Sequence, residues 1–120
     1  MKPHQNLDAW KLSFQFTQKV YELTKSFPKE EIYGMTSQIR RAAVSVPVNI
    51  AEGAARHTDK QFIQFLHISL GSASELDTLI LLSKSLGYLS ENLCQELIQD
   101  LDRIGKTIYG LIKHVEKRSQ

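Results

Sequence analysis

The segment from Ser37 to Arg56, SQIRRAAVSVPVNIAEGAAR, constrains the fold of this 120-residue chain more than any other part of it. Its composition predicts one helix that is apolar around most of its circumference. Successive residues of a helix are separated by about 100°, so two apolar stripes lie on different sides of it. The first stripe is Ile39, Ala43, Val46 and Ile50, and the second is Val44, Val48, Ala51 and Ala55.

A helix with two apolar stripes must be covered from two sides, because a surface helix needs only one. A chain of 120 residues has little material for a double cover. We therefore expect a small helical bundle that buries the first stripe internally and the second against another copy of the chain. The predicted subunit contact consists of Val44, Val48, Ala51 and Ala55.

Pro47 lies in the middle of this predicted helix. Proline has no backbone N–H and crowds the carbonyl four residues earlier, so we expect a kink at this position. The flanking residues Val46 and Val48 offer no polar group to the freed carbonyl of Ala43. Side-chain packing is therefore expected to hold the kinked helix together.

Three further helices are predicted from apolar residues at helical spacing. They run from about Leu7 to Phe27, from Thr58 to Leu86 and from Ser90 to Lys117. Thr58 and Ser90 fit the N-cap position, and Gly87 fits the position after a helix end. Short connections then favour a single all-α domain over residues 1–120, an up-down-up-down four-helix bundle.

The middle of the third predicted helix, Ser69 to Ser74, consists mostly of small side chains. Small residues allow the backbone of a neighbouring helix to approach closely. Gly71 would otherwise cost the helix about 1 kcal/mol relative to alanine. We therefore expect a packing partner at this position.

Bulk properties exclude several classes of protein. The formal net charge is +2, from 15 basic and 13 acidic residues, too small an excess to indicate a nucleic-acid binder by itself. The N-terminus lacks the apolar segment of a signal peptide, and no run of apolar residues is long enough to predict a membrane span. A single cysteine, Cys94, excludes an internal disulfide. We expect a cytoplasmic protein without a membrane partner.

No catalytic or metal-binding pattern is present in the sequence. Di-metal sites in helical bundles use a glutamate three residues before a histidine, and none of the four histidines has one. The G-x-S-x-G motif of a nucleophile elbow is absent, and the six glycines are scattered rather than clustered around a phosphate. We expect a non-enzymatic protein with no catalytic residues, metal or cofactor.

A narrow polar sector runs along the second predicted helix. Its members are Arg41, Ser45, Asn49, Glu52 and Arg56. One interpretation is a solvated face. The other is that Arg41, Asn49 and Glu52 meet polar groups of the third helix, such as Ser72 and Glu75, or of another subunit. An ion pair inside an interface would fix its register more than it would add stability.

Basic residues dominate the second half of the last helix. They are Arg103, Lys106, Lys113, Lys117 and Arg118. Cations near a helix C-terminus complement the helix dipole, and a solvated basic end needs no further explanation. The alternative is a face that binds RNA or DNA. A ring of copies would repeat the patch around its axis and strengthen the local field.

The segment FPKEEIYGMTSQIRRAAVSVPVNIAEGAAR, with FIQFLHISLGSASELDTL after it, resembles the family of 23S rRNA intervening-sequence proteins. The shared pattern is FPxEExYGxTxQIRRAAxSxPxNIAEG, followed by small residues before a glutamate. The resemblance covers almost the whole chain and implies an up-down four-helix bundle assembled as a pentameric ring. Similar genes are associated with insertions in bacterial large-subunit ribosomal RNA genes. A distant relative, the accessory protein of diversity-generating retroelements, binds a reverse transcriptase and nucleic acid.

The family pattern falls on particular positions of this chain. They are Arg41, Ser45, Pro47, Asn49, Glu52 and Gly53 in the second helix and Gly71, Ser72 and Glu75 in the third. The resemblance does not distinguish a ligand site from a subunit contact. The predicted double cover of the second helix favours a structural role for them.

The sequence and the resemblance together predict a non-enzymatic homo-oligomer, a pentamer by the resemblance. Its expected role is that of a scaffold or accessory factor for RNA, DNA or a nucleic-acid-processing protein. The alternative is an adaptor that binds proteins and has no affinity for nucleic acid. Salt-dependent binding to RNA separates the two, because contacts to phosphates weaken steeply as salt rises.

Overall fold

Four long helices make up the chain, and short turns connect them. The computed structural model describes residues 2–120. The helices are α1 (Asp8–Leu23), α2 (Met35–Ala54), α3 (Asp59–Ser85) and α4 (Glu91–Arg118). Three 3-10 turns span Pro3–Asn6, Thr24–Ser26 and Lys29–Glu31. Residues 2–120 contain no β-strand, which confirms the predicted all-α class.

Consecutive helices pack side by side in opposite directions. Two contacts fix each direction: Thr17–Ala43 and Thr24–Arg40 for α1 and α2, Ser45–Ser72 and Gly53–Phe62 for α2 and α3, Asp59–Arg118 and Lys84–Glu91 for α3 and α4. α4 also packs beside α1, where Lys19 binds Glu96 and Asp100. The inner faces of the four helices enclose one hydrophobic core.

The first predicted stripe of α2 lies in that core, as expected. Ile39 and Ile50 are completely buried, and Ala43 and Val46 are nearly so. The second stripe lies on the outer side of the helix. Val48 is 49% exposed, a large value for a valine in a folded chain. Within one copy, α2 is therefore covered on one side only.

Two predicted helix ends are wrong by a few residues. α1 ends at Leu23 rather than Phe27, and a 3-10 turn over Thr24–Ser26 follows it. Phe27 is extended, with ψ of 154°, as the residue before a proline prefers. α2 ends at Ala54 rather than Arg56, and a short connection leads into α3.

The predicted caps of α3 and α4 are confirmed. The Thr58 hydroxyl accepts from the backbone N–H of Gln61 at 3.2 Å, and the Ser90 hydroxyl accepts from that of Leu93 at 3.1 Å. Gly87 follows the end of α3 with φ of 82°, the left-handed conformation that favours glycine. These local signals place the ends of the two long helices.

Pro47 lies inside a continuous α2, and a side chain of α1 supports it. The proline leaves the carbonyl of Ala43 without its usual backbone donor. The hydroxyl of Thr17 lies 3.0 Å from that carbonyl oxygen and donates to it across the helix interface. The expectation that packing alone holds this site is therefore wrong, since a hydrogen bond from α1 replaces the missing one.

The connection between α1 and α2 is held by the carboxylate of Glu31. One oxygen accepts from the hydroxyl of Tyr88 at 2.7 Å, and the other accepts from the backbone N–H of Met35 at 3.3 Å. This pairing raises the pKa of the Tyr88 hydroxyl, because the hydrogen bond to Glu31 favours the protonated phenol. An added Cβ at Gly34 would overlap the carboxylate of Glu31, so the end of that side chain would have to shift.

α3 is the most apolar of the helices. Its best 18-residue window has a mean hydropathy of 1.3, so by length and composition alone the helix could cross a membrane, contrary to the expectation from the sequence. It packs between α2 and α4 in the bundle, as a core helix does. Only 33% of that window is buried within one copy, which leaves apolar side chains on its outer surface.

Candidate functional site

Five cations from three helix termini meet at one end of the bundle. This basic end consists of Arg56, Lys60, Lys113, Lys117 and Arg118. The ion pair between Arg118 and Asp59, at 2.8 Å, shows that the C-terminus of α4 lies beside the start of α3. All five cationic side chains belong to exposed residues. The bundle is 48 Å long, so this end is well separated from the opposite one.

Three of the five cations at the basic end have acidic partners. Arg118 binds Asp59, and the hydrogen bond from Arg118 lowers the pKa of the Asp59 carboxyl. Two further pairs join Arg56 to Glu52 at 3.1 Å and Lys113 to Glu116 at 3.5 Å. Lys60 and Lys117 form no ion pair within residues 2–120.

The net charge of the basic end follows from these residues. Five cations against three carboxylates, Glu52, Asp59 and Glu116, leave an excess of two, which equals the formal net charge of +2 of the whole chain. Exposed ion pairs are weak, each about 0–1 kcal/mol, so a phosphate can compete for their cations. The end is thus modestly cationic in one copy.

The structure divides the five basic residues that the sequence pattern grouped together. Lys113, Lys117 and Arg118 belong to the basic end, whereas Lys106 lies about 10 Å farther back along α4 at 1.5 Å per residue. Arg103 and Lys106 line a separate groove with Asp102. Arg56 and Lys60 were not among the basic residues that the sequence pattern grouped. They belong to the basic end because the connection between α2 and α3 lies at this end of the bundle.

The polar sector of α2 meets α3 through a chain of hydrogen bonds. The Asn49 amide donates to the carbonyl and the hydroxyl oxygen of Ser45 at 2.8 and 2.9 Å. The Ser45 hydroxyl lies 2.8 Å from the Ser72 hydroxyl of α3. Just inside this chain, the buried Ser69 hydroxyl donates to the carbonyl of Val46 at 2.8 Å. These bonds fix how α2 and α3 sit against each other.

Other residues of the family pattern take no part in these bonds. Arg41 and Glu75 line one groove beside Ser45 and Ser72, yet neither forms an ion pair within residues 2–120. Glu52 pairs with Arg56, just beyond the end of its own helix, instead of reaching α3. Among residues 2–120 of one copy, none of the three residues named for contact with α3, Arg41, Asn49 and Glu52, bonds to that helix, and Ser45 makes the contact instead.

The small-residue stretch of α3 is used unevenly. Ser69 and Ala73 are buried, and Ser72 bonds to α2. Gly71 faces outward, and a Cβ at this position would have no atom within 4 Å. The expected packing partner of Gly71 is therefore not within the described part of the chain.

Residues 2–120 contain no group of three or more histidine, cysteine, aspartate or glutamate side chains that could hold a metal ion. Cys94 is buried.

The family pattern and the four-helix architecture agree with a comparison against known families. The model of the 23S rRNA-intervening sequence protein family matches residues 5–110. The chain belongs to this family. Lys113, Lys117 and Arg118 follow the matched segment, so the family model does not cover three of the five residues of the basic end.

A solved structure has the same fold. It is the crystal structure of a protein of unknown function from the S23 ribosomal protein family of Bacteroides thetaiotaomicron, with 25% identity and a TM-score of 0.81. The alignment covers 88% of this chain and 95% of that one. No curated protein matches the chain. The family assignment and this likeness confirm the predicted four-helix fold.

Proposed function

We propose that this chain is a non-enzymatic, homo-oligomeric scaffold or accessory factor that associates with RNA in the cytoplasm. The observation that carries the proposal is the basic end, where cations from α2, α3 and α4 converge. Each copy contributes a small excess of positive charge. A closed ring, a pentamer by the family resemblance, would set these ends side by side and multiply the field that attracts phosphates.

A second candidate function is a protein-binding adaptor without affinity for nucleic acid. The ion pairs of Arg56, Lys113 and Arg118 favour it, because they already neutralise three of the five cations. The two functions make opposite predictions for binding to RNA as salt changes.

Reversing the two unpaired cations of the basic end tests the first candidate. Lys60→Glu with Lys117→Glu should weaken binding of a hairpin RNA and a single-stranded RNA about tenfold or more at low salt. The slope of log affinity against log salt should fall by about 1.5, since each phosphate contact contributes about 0.7 to 0.9. Fluorescence anisotropy titrations over a range of salt concentrations measure both quantities.

The matched control is Lys25→Glu with Lys29→Glu, which changes the net charge equally at the opposite end of the bundle. Binding by this control should stay close to that of the unmodified protein. Equal losses in both variants would mean that binding follows net charge rather than the basic end. Absence of salt-dependent binding in the unmodified protein would establish the adaptor as the better proposal.

The homo-oligomer has its own test at the second stripe of α2. Val44→Asp should give a helical protein of lower mass, because assembly would trap an unpaired carboxylate in the subunit contact. Ala51→Asp should behave in the same way. Light scattering measures the mass and circular dichroism the helix content. If both variants kept the native mass, the second stripe would not lie at the subunit contact.

A further inference from the structure

The outer surfaces of α2 and α3 carry features that one copy of the chain leaves unused. On α2 they are Arg41, Val44 and Val48, and on α3 they are Ile68, Gly71 and Glu75. We call these residues the α2/α3 face. The two charges have no ion-pair partner within residues 2–120, and Val48 and Ile68 are 49% and 52% exposed.

Pairs of these residues lie level with each other along the bundle. The Ser45–Ser72 bond marks the common height of two antiparallel helices. Arg41 comes one turn before Ser45, and Glu75 comes about one turn after Ser72, so both shift in the same direction. Val48 comes about one turn after Ser45, and Ile68 comes one turn before Ser72, so these two residues are both displaced from the serines toward the other end of the bundle.

The pairs are complementary in charge and size. Arg41 and Glu75 have opposite charges, and Val48 and Ile68 are both apolar. At the level of the serines, the branched side chain of Val44 corresponds to Gly71, which has nothing within 4 Å of its Cβ position. A polyanion would be repelled by Glu75, and a purely apolar partner would leave both charges unpaired. Arg41 and Glu75 line one groove of the same copy without forming an ion pair there, and a second copy supplies a complement to each of these residues.

We infer that α2 of one copy packs against α3 of the next, with Arg41 bound to Glu75, Val44 over Gly71 and Val48 against Ile68. Rotation about an axis parallel to the bundle leaves the height of every residue unchanged, so level residues of one copy meet across the contact. The contact joins the α2 part of this face on one copy to the α3 part of the face on the next, so it is heterologous and can close a ring. The inference rests on the homo-oligomer of the proposed function. It adds which surface of the neighbouring copy covers the second stripe of α2.

Charge reversal tests the ion pair directly. Arg41→Glu and Glu75→Arg should each lower the mass measured by light scattering in the absence of RNA, because every contact would then hold two like charges. The double variant that carries both substitutions should regain the native mass. Mixing the two single variants should raise the mass above that of either variant alone, since each supplies the charge that the other lacks, although a ring of five copies keeps one contact between like variants. Circular dichroism should show native helix content throughout.

A size change at Gly71 provides a second, independent test. Gly71→Leu has open space within one copy, so folding should be retained, but its side chain would occupy the place of Val44 from the neighbour. Its mass should therefore fall. The control Arg103→Glu, on the exposed surface of α4, should keep the native mass.

Two results would overturn the inference in distinguishable ways. A protein that is monomeric without substitution would remove the homo-oligomer and this contact together. This contact alone would be rejected if both single charge variants and Gly71→Leu kept the native mass. It would also be rejected if the double variant stayed dissociated while fully helical. RNA binding does not enter these measurements, so its failure at the basic end would leave them unaffected.

Discussion

Gly53→Val should destabilise the fold by about 3 kcal/mol, the upper part of the range for overpacked cores. Gly53 is buried in α2 where the helix crosses the start of α3. A Cβ there would lie 2.9 Å from the Cβ of Phe65 and 3.1 Å from the carbonyl oxygen of Phe62. Neither atom is the end of a flexible side chain, so the helices themselves would have to separate. Urea unfolding followed by circular dichroism measures the loss.

The matched control for this substitution is a glycine in open space. Gly110 lies inside α4, and a Cβ added to it would meet nothing within 4 Å. Gly110→Ala should raise the free energy of unfolding by up to about 1 kcal/mol, the usual difference in helix propensity. If Gly53→Val were as stable as the unmodified protein, the close approach of α2 and α3 would not constrain residue 53.

Local signals explain why much of the fold could be predicted. The buried stripe of α2 follows from spacing alone, and Thr58, Ser90 and Gly87 mark helix ends through bonds or backbone angles within a few residues. The predicted end of α1 at Phe27 is wrong because Phe27 is extended before Pro28, while the hydrophobic pattern continues to that residue. Buried stripes and helix caps can be predicted from the neighbouring sequence alone.

The candidate surfaces depended on contacts between distant residues. Lys60 and Lys117 are 57 positions apart in the sequence, and only the return of the chain between α2 and α3 places both at the basic end. The signal for the basic end that the sequence offered was the pair of basic residues at the connection between α2 and α3, Arg56 in it and Lys60 just after it. Predicting that Gly71 faces outward also requires knowing how α3 is rotated about its own axis. The apolar residues of α3 lie on several sides of the helix and do not specify that rotation.

Thr17→Val should cost about 2 kcal/mol of stability, within the range for leaving a buried polar group without its partner. The Thr17 hydroxyl lies 2.8 Å from the carbonyl of Ser13 and 3.0 Å from that of Ala43. The Ser13 carbonyl lies within α1 and has a helical N–H donor, whereas Pro47 deprives the Ala43 carbonyl of one. The loss therefore falls mainly on Ala43, and urea unfolding measures it.

A double-mutant cycle with Pro47→Ala isolates this effect. Alanine at position 47 restores the backbone N–H that reaches the Ala43 carbonyl, so Thr17→Val should cost at least about 1 kcal/mol less in that background. Thr107→Val is the matched control, because the Thr107 hydroxyl serves only the carbonyl of Arg103 in its own helix, at 2.7 Å. It should change stability by less than about 0.5 kcal/mol. An equal cost of Thr17→Val with and without the proline would mean that the hydroxyl stabilises α1 itself, and that α2 carries its proline through packing alone.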